Sequence, residues 1–438
     1  MADIVVRSAT VVTINERREV LTGDVAINGS TIAAVGTVAA RGRREIDGEG
    51  CVLLPGLVQA HIHLCQTLFR NVADGMPLLE WLRSWILPLE ALHDERSMRA
   101  SVRLGVAELL RGGTTCVLDM GSVHHTEVVF SELEALGLRA SSGKAMMDCG
   151  DEIPRALCEE PSAALEESVA LLRRWHGAAQ GRLRYAFAPR FALSSSAELH
   201  RQVAEEARRR NARVHSHAAE HRDEVARVRG RTGKGNVAYL HGLGLTGPQL
   251  CLAHCVWLGD EEMAILRETG THVLHCPTAN LKLGSGIAKV PEMRAMGINV
   301  ALGSDGAACN NNLDAFQEMR MAALIQGARL GAGALPAQAV VEMATLGGAR
   351  TLGLADQIGS IEVGKKADLI LVDVHRPHNS PGHDIYGQLV FACRSSDVRT
   401  VIIDGNIVVH QGRVLVVDEE EVVRRAEEES SRLLRKMR

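Results

Sequence analysis

Apolar and polar positions alternate along the chain in two rhythms. From Asp3 to about Leu54, short β-rich runs are separated by turn residues. They are Val5-Val6, Val11-Val12-Thr13-Ile14 and Thr31-Ile32-Ala33-Ala34-Val35, with Gly29 and Gly36 as punctuation. The same texture returns at Asp368-Leu369-Ile370-Leu371-Val372 and from Val398 to Val409. Two strand-rich ends around a long middle predict one small β-sandwich domain built from both termini, residues 1–54 and 358–418. Between them, apolar strand-like runs alternate with helix-length polar segments, the rhythm of a parallel α/β fold. The predicted strands are Val52 to His63, Thr114 to Met120, Leu138 to Met147, Leu183 to Phe191, Ala212 to His217, Leu250 to Trp257, Thr271 to His275, and Ile298 to Gly303. Eight strands with intervening helices predict a (β/α)8 TIM-like barrel over residues 55–357. A doubly wound open sheet is the alternative, but no GxGxxG fingerprint follows any strand. The charged stretch 419–438 predicts a C-terminal helix, read as a solvated cap with a subunit contact as the alternative.

Composition narrows the partners. Acidic residues outnumber basic ones 53 to 49 and the charges are interspersed, so nothing favours nucleic acid or an anionic membrane. The start lacks the basic region and apolar core of a secretory signal. No run approaches the ~20 apolar residues that cross a bilayer. Ten scattered cysteines suit reduced thiols, so a cytoplasmic location is expected. Cys251 and Cys255 have no second pair with which to form a zinc knuckle.

The predicted strand ends carry the chemistry, and in such barrels the C-terminal face holds the site. His61 and His63 end the first strand and, two apart, project to one side, where two imidazoles can share a cation. An HxH alone is equally a pair of core histidines. His217, His254, His275 and Asp305, on four further strands, shift the balance toward a metal. Glu220 lies just past the fifth strand, where a carboxylate can move protons without binding the ion. His215 reads as packing or as a supporting residue. Asp305 after an apolar run is costly unless it is paired, metal-bound or a helix cap. Such a site lowers the pKa of a water toward ~7, and the reaction class is metal-assisted hydrolysis.

Together these motifs resemble the amidohydrolase superfamily, in its branch of cytosine/adenosine-type deaminases and triazine hydrolases. The likeness runs from Pro55-Gly56-Leu57-Val58-Gln59-Ala60-His61-Ile62-His63, similar to PGLxxxHxH, through His217 and Glu220 as HxxE, His254, and His275-Cys276-Pro277. It continues through Gly303-Ser304-Asp305-Gly306 and ends at Gly364-Lys365-Lys366-Ala367-Asp368-Leu369, similar to GKxADL. The resemblance implies His61, His63, His217 and Asp305 as ligands of one divalent metal, zinc first, with iron or manganese as alternatives. It implies Glu220 as proton shuttle, His254 as the histidine that polarises water or leaving group, and Asp305 as acceptor of the water's proton. Binuclear relatives carry a carbamylated lysine on the fourth strand; Ala188-Pro189-Arg190-Phe191 has none, which favours one metal.

Substrate cues diverge. Trp81 and Glu90 sit in segments resembling those that cover the nucleoside in adenosylhomocysteine deaminases, where Trp81 would pack on the substrate and Glu90 would accept from ribose hydroxyls. Arg190 and Gln66 resemble guanine deaminase instead, with Arg190 holding the ring. Core packing for Trp81, solvation for Glu90 and an acidic partner for Arg190 are the structural alternatives. Lys144 either faces the same pocket or does not. The expected function is deamination of an aminated purine, as in 5′-deoxyadenosine or adenosylhomocysteine. The alternatives are guanine or pterin deamination, triazine hydrolysis, and a non-catalytic barrel that binds a ligand. The partner is a small heterocycle, with a homo-oligomer as a family expectation.

Overall fold

The computed structural model describes residues 1–150 and 153–437. Eight parallel strands form the barrel: Leu57–Ile62, Thr114–Met120, Arg139–Gly143, Leu183–Pro189, Arg213–Ala218, Leu250–His254, His272–His275 and Val300–Leu302. The eighth returns to the first, where the Asp305 amide donates to the His61 carbonyl at 3.0 Å. A side chain at Gly303 would put its Cβ 2.7 Å from the His61 backbone, so only glycine lets the ring close there. Outward-facing apolar residues such as Val117, Phe187, Val214, Leu252 and Val273 pack under the helices. Small inward residues, Ala60, Ala186, Ala253 and Ala301, leave room for Leu352, Leu354 and Ile358 to fill the interior.

Strands from both termini form a nine-stranded mixed sheet. Its central strand, Cys51–Pro55, pairs in parallel with Ala2–Val12 and antiparallel with Leu369–Asp373. Residues from both halves, among them Val6, Val25, Leu53, Leu369 and Ile402, bury one apolar cluster. The separate runs Val5-Val6 and Val11-Val12 lie on the single bulged strand Ala2–Val12. The predicted strand Val52 to His63 is two strands: the chain leaves the mixed sheet at Pro55 and enters the barrel at Leu57. Gly56 makes the transfer, and a Cβ there would clash with the Thr115 side chain at 2.0 Å. Leu138 to Met147 likewise breaks, into Arg139–Gly143 and a two-residue strand, Ala145–Met146, that pairs with the end of the fourth strand.

A buried clamp ties the sheet to the barrel. Arg139, at the start of the third barrel strand, donates to Asp368 at 2.6 and 2.9 Å and to Asp404 at 3.1 Å. Asp368 is the acidic residue of the GKxADL motif. The C-terminal helix Glu419–Met437 lies on its own chain as a cap. Ala426 and Leu433 pack with Phe69 and Ala100, and Arg432 bonds Asp94 at 2.7 Å. Arg438, the last residue of the predicted helix, lies outside the described residues. Among the described residues no helix is long and apolar enough to cross a membrane.

Candidate metal centre and substrate pocket

Five barrel residues converge at the C-terminal mouth. Asp305 Oδ1 lies 3.3 Å from His61 Nε2 and 3.4 Å from His63 Nε2, and His63 Nε2 lies 3.3 Å from His217 Nε2. His254 Nε2 lies 3.4 Å from Glu220 Oε2 and 3.8 Å from Asp305 Oδ2. His61, His63 and His217, and likewise His61, His254 and Asp305, bring one ligand atom each to within 4.8 Å of one another. The backbone is bent to do this: Ala219, His254, Cys255 and Asp305 all have positive φ, between 50° and 72°. Such conformations cost non-glycine residues free energy and gather where side chains must be aimed.

Each imidazole is oriented from behind. His61 Nδ1 lies 2.7 Å from His215 Nε2, His63 Nδ1 2.9 Å from the Met120 carbonyl, and His217 Nδ1 2.7 Å from the Arg190 carbonyl. His254 Nδ1 meets Asn280 Oδ1 at 2.8 Å. His215, read from the sequence as packing or as a supporting residue, bonds a site histidine directly. The Nδ1 contacts of His61, His63 and His217 leave their Nε2 atoms for the centre, and the buried Nε2 of His61 has no hydrogen-bond partner among the described residues. Burial holds His61 and His217 below the usual histidine range and His63 down at about 3, the direction that ligation favours. Burial opposes ionisation of Asp305, but His61, His254 and His63 beside it hold its carboxyl well below the ordinary value. Three imidazoles and one carboxylate are a donor set for a divalent metal ion.

Glu220 stands apart from the ligands. Burial, then the charges of Asp305 and Glu224, push its carboxyl well above the usual range. Ser285 Oγ donates to it at 3.4 Å, and Glu224 accepts from its backbone amide at 2.7 Å. A carboxyl that keeps its proton near neutral pH can donate it.

The centre opens into a pocket whose lining includes Gln66, Trp81, Leu82, Arg190, Phe191 and Leu283. Trp81 Nε1 and Gln66 Oε1 are buried and unpartnered, leaving one donor and one acceptor unused among the described residues. Glu90 does not line the pocket. It is fully buried behind Arg190 and Gln66, taking Arg190 at 2.8 and 3.1 Å and Gln66 Nε2 at 2.9 Å. Burial works against its ionisation, but the Arg190 guanidinium holds its carboxyl below the ordinary value. Neither an open helix face nor direct sugar contact describes Glu90 here; the acidic partner weighed for Arg190 is Glu90 itself.

Lys144 is absent from the pocket: its buried ammonium pairs with Glu159 at 2.7 Å and with Glu167. His275 is buried, with both ring nitrogens unpartnered among the described residues. Sequence reasoning missed Glu224, Asn280 and Ser285. Glu224 was within view, four residues after Glu220. Asn280, in the short helix Pro277–Lys282 after the seventh strand, and Ser285, just beyond that helix, have no pattern to mark them.

The chain matches known proteins over nearly its whole length. Residues 52–408 match the model of the Amidohydrolase family. The chain is 39% identical over 429 residues to the 5′-deoxyadenosine deaminase of Methanosarcina acetivorans, covering 97% of each chain. It is 39% identical over 441 residues to the 5-methylthioadenosine/S-adenosylhomocysteine deaminase of Pelotomaculum thermopropionicum, covering 99% of each. Its structure superposes on an adenosine deaminase from Xanthomonas campestris with bound zinc at a TM-score of 0.93, with 33% identity and 99% coverage of both chains. Family model, full-length relatives and shared fold agree: the chain belongs to the amidohydrolase family.

Proposed function

We propose that this protein is a mononuclear zinc deaminase that hydrolyses the exocyclic C–N bond of an aminated purine nucleoside of the 5′-deoxyadenosine type. The carrying observation is Glu220, a buried carboxyl 3.4 Å from His254 and outside the ligand group His61, His63, His217 and Asp305, which burial and the neighbouring carboxylates push well above its usual range. The names of the full-length relatives supply the substrate class. A bound divalent ion supplies a water ionisable near pH 7 as the nucleophile.

The chain's residues do the rest. Asp305, 3.3 Å from His61 and 3.4 Å from His63, accepts the proton of the attacking water. Glu220 gives its proton to a ring nitrogen, which makes the amine-bearing carbon electrophilic; its carboxylate then takes the hydroxyl proton of the water adduct and passes it to the departing amine, and the proton held by Asp305 returns to Glu220. His254, fixed by Asn280, lies beside both carboxylates and polarises the leaving group. Arg190, anchored by Glu90, donates to a ring acceptor, Gln66 offers its free carbonyl oxygen, and Trp81 packs along the ring.

A second reading, deamination of a free guanine or pterin base, is favoured by one observation. Glu90 is consumed by Arg190 and Gln66 rather than open to a sugar. Ammonia release from adenosine, 5′-deoxyadenosine, adenosylhomocysteine, guanine, pterins and aminotriazines separates the readings. Preference for a 5′-substituted adenosine is expected. Dominant guanine turnover would replace the nucleoside, and silence across the metal-loaded panel would end the deaminase reading.

A further inference from the structure

The opposite pole of the barrel carries an unused cluster of positive charge. Arg184 and Arg213 lie near the N-terminal ends of the fourth and fifth strands, far along the strands from the metal-site residues. Ser141 is the register partner of Arg184, and Arg213 is the partner of Ala186, two residues on and on the same face. All three line one cleft, with His176, Asn211 and Gln249 at its margin and Leu352 and Gly353 as a wall.

Among the described residues no carboxylate lines this cleft. Arg213 donates only to backbone carbonyls, those of Pro248 and Arg350. Arg184 makes no hydrogen bond or ion pair with any described residue. Burial pulls its pKa down, Cys116 and Asp356 act against that, and Arg139 and Arg213 act with it. Arg139 is itself committed to Asp368 and Asp404. The Ser141 hydroxyl is buried and unpartnered. Two half-buried guanidiniums and an orphaned hydroxyl are costly unless an acceptor joins them.

We propose that this cleft is a second ligand site, for a phosphate group, free or carried by a nucleotide, held by Arg184, Arg213 and Ser141. Two guanidinium forks and a hydroxyl present more donors than the two oxygens of a carboxylate can use, and they match a tetrahedral dianion. The site is remote from the metal ligands, so turnover without phosphate does not depend on it.

The test is thermal unfolding of the metal-loaded full chain with inorganic phosphate, AMP, adenosine or succinate, at ionic strength balanced with NaCl. A saturable rise in Tm with phosphate and AMP is expected. Ser141→Ala should weaken apparent phosphate affinity at least tenfold, and Arg184→Gln should remove the effect, with ammonia release unchanged in both. Tighter binding of AMP than of phosphate assigns the site to a nucleotide; equal binding assigns it to free phosphate. An equal response to NaCl or succinate overturns the proposal. So does a phosphate response that survives both substitutions, which would put the anion at the metal centre. Should Arg184→Gln fail to fold, calorimetric titration of Ser141→Ala with phosphate decides alone, unchanged affinity being the contrary result.

Discussion

Arg190 and Glu90, one hundred residues apart, form a fully buried two-point ion pair directly behind the substrate pocket. The pair fixes the guanidinium that faces the pocket, and Gln66 shares the same carboxylate. Glu90→Gln strips a buried cation of its counter-charge, a change that costs about 3–5 kcal/mol. Denaturant unfolding should show that loss, together with a KM raised more than kcat is lowered. Replacing both residues with Met should be milder for stability than the single change. A Glu90→Gln protein of normal stability and KM would mean that Arg190 is held otherwise.

His215 touches no solvent and bonds the ligand His61 at 2.7 Å. Partners of this kind set the tautomer of a ligand, and their loss costs about 10–100-fold in metal affinity. Competition with a chelator should show that loss for His215→Phe, with secondary structure retained. Undiminished affinity would return His215 to a packing role.

Much of the centre is legible in the sequence because the fold places it at strand ends. His61, His63, His217, His254 and Asp305 each close an apolar run, and a parallel barrel sends all such ends to one face. What could not be read were pairings set by tertiary approach. Glu90 with Arg190, Lys144 with Glu159 and Glu167, and His215 with His61 join separate elements, and no local periodicity encodes them. The split of Val52 to His63 was hidden because both halves are fully buried and equally apolar; Gly56 was the only mark of the transfer.

The Arg139 clamp should matter for stability and little for chemistry. Arg139→Met leaves Asp368 buried with its cation gone, while Asp404 keeps Lys366 at 3.3 Å, at a cost of about 3–5 kcal/mol. Unfolding should occur at lower denaturant while kcat of the folded enzyme stays near normal. Equal stability would show that the mixed sheet is held by its apolar contacts alone.

Glu318 provides a pH signature. It accepts from Asn310 at 2.8 Å and from the Thr278 amide at 3.2 Å, and burial raises its carboxyl from 4.5 to about 7. The folded state therefore holds a proton that the unfolded chain releases. Its contribution is full below pH ~4.5, declines as pH rises toward ~7 and is flat above, amounting to about 3 kcal/mol. Glu318→Gln should remove that decline from a stability–pH profile measured between pH 5 and 8. An unchanged profile would assign the decline to other groups.

The most direct test of the central claim pairs metal analysis with ammonia release for the wild type and Glu220→Gln. One divalent ion per chain is expected in both proteins, with turnover of 5′-deoxyadenosine by the wild type and a loss of about 10²–10⁴-fold in the variant. Two ions per chain, or a Glu220→Gln protein that deaminates at the wild-type rate, would contradict a single metal served by a separate proton shuttle.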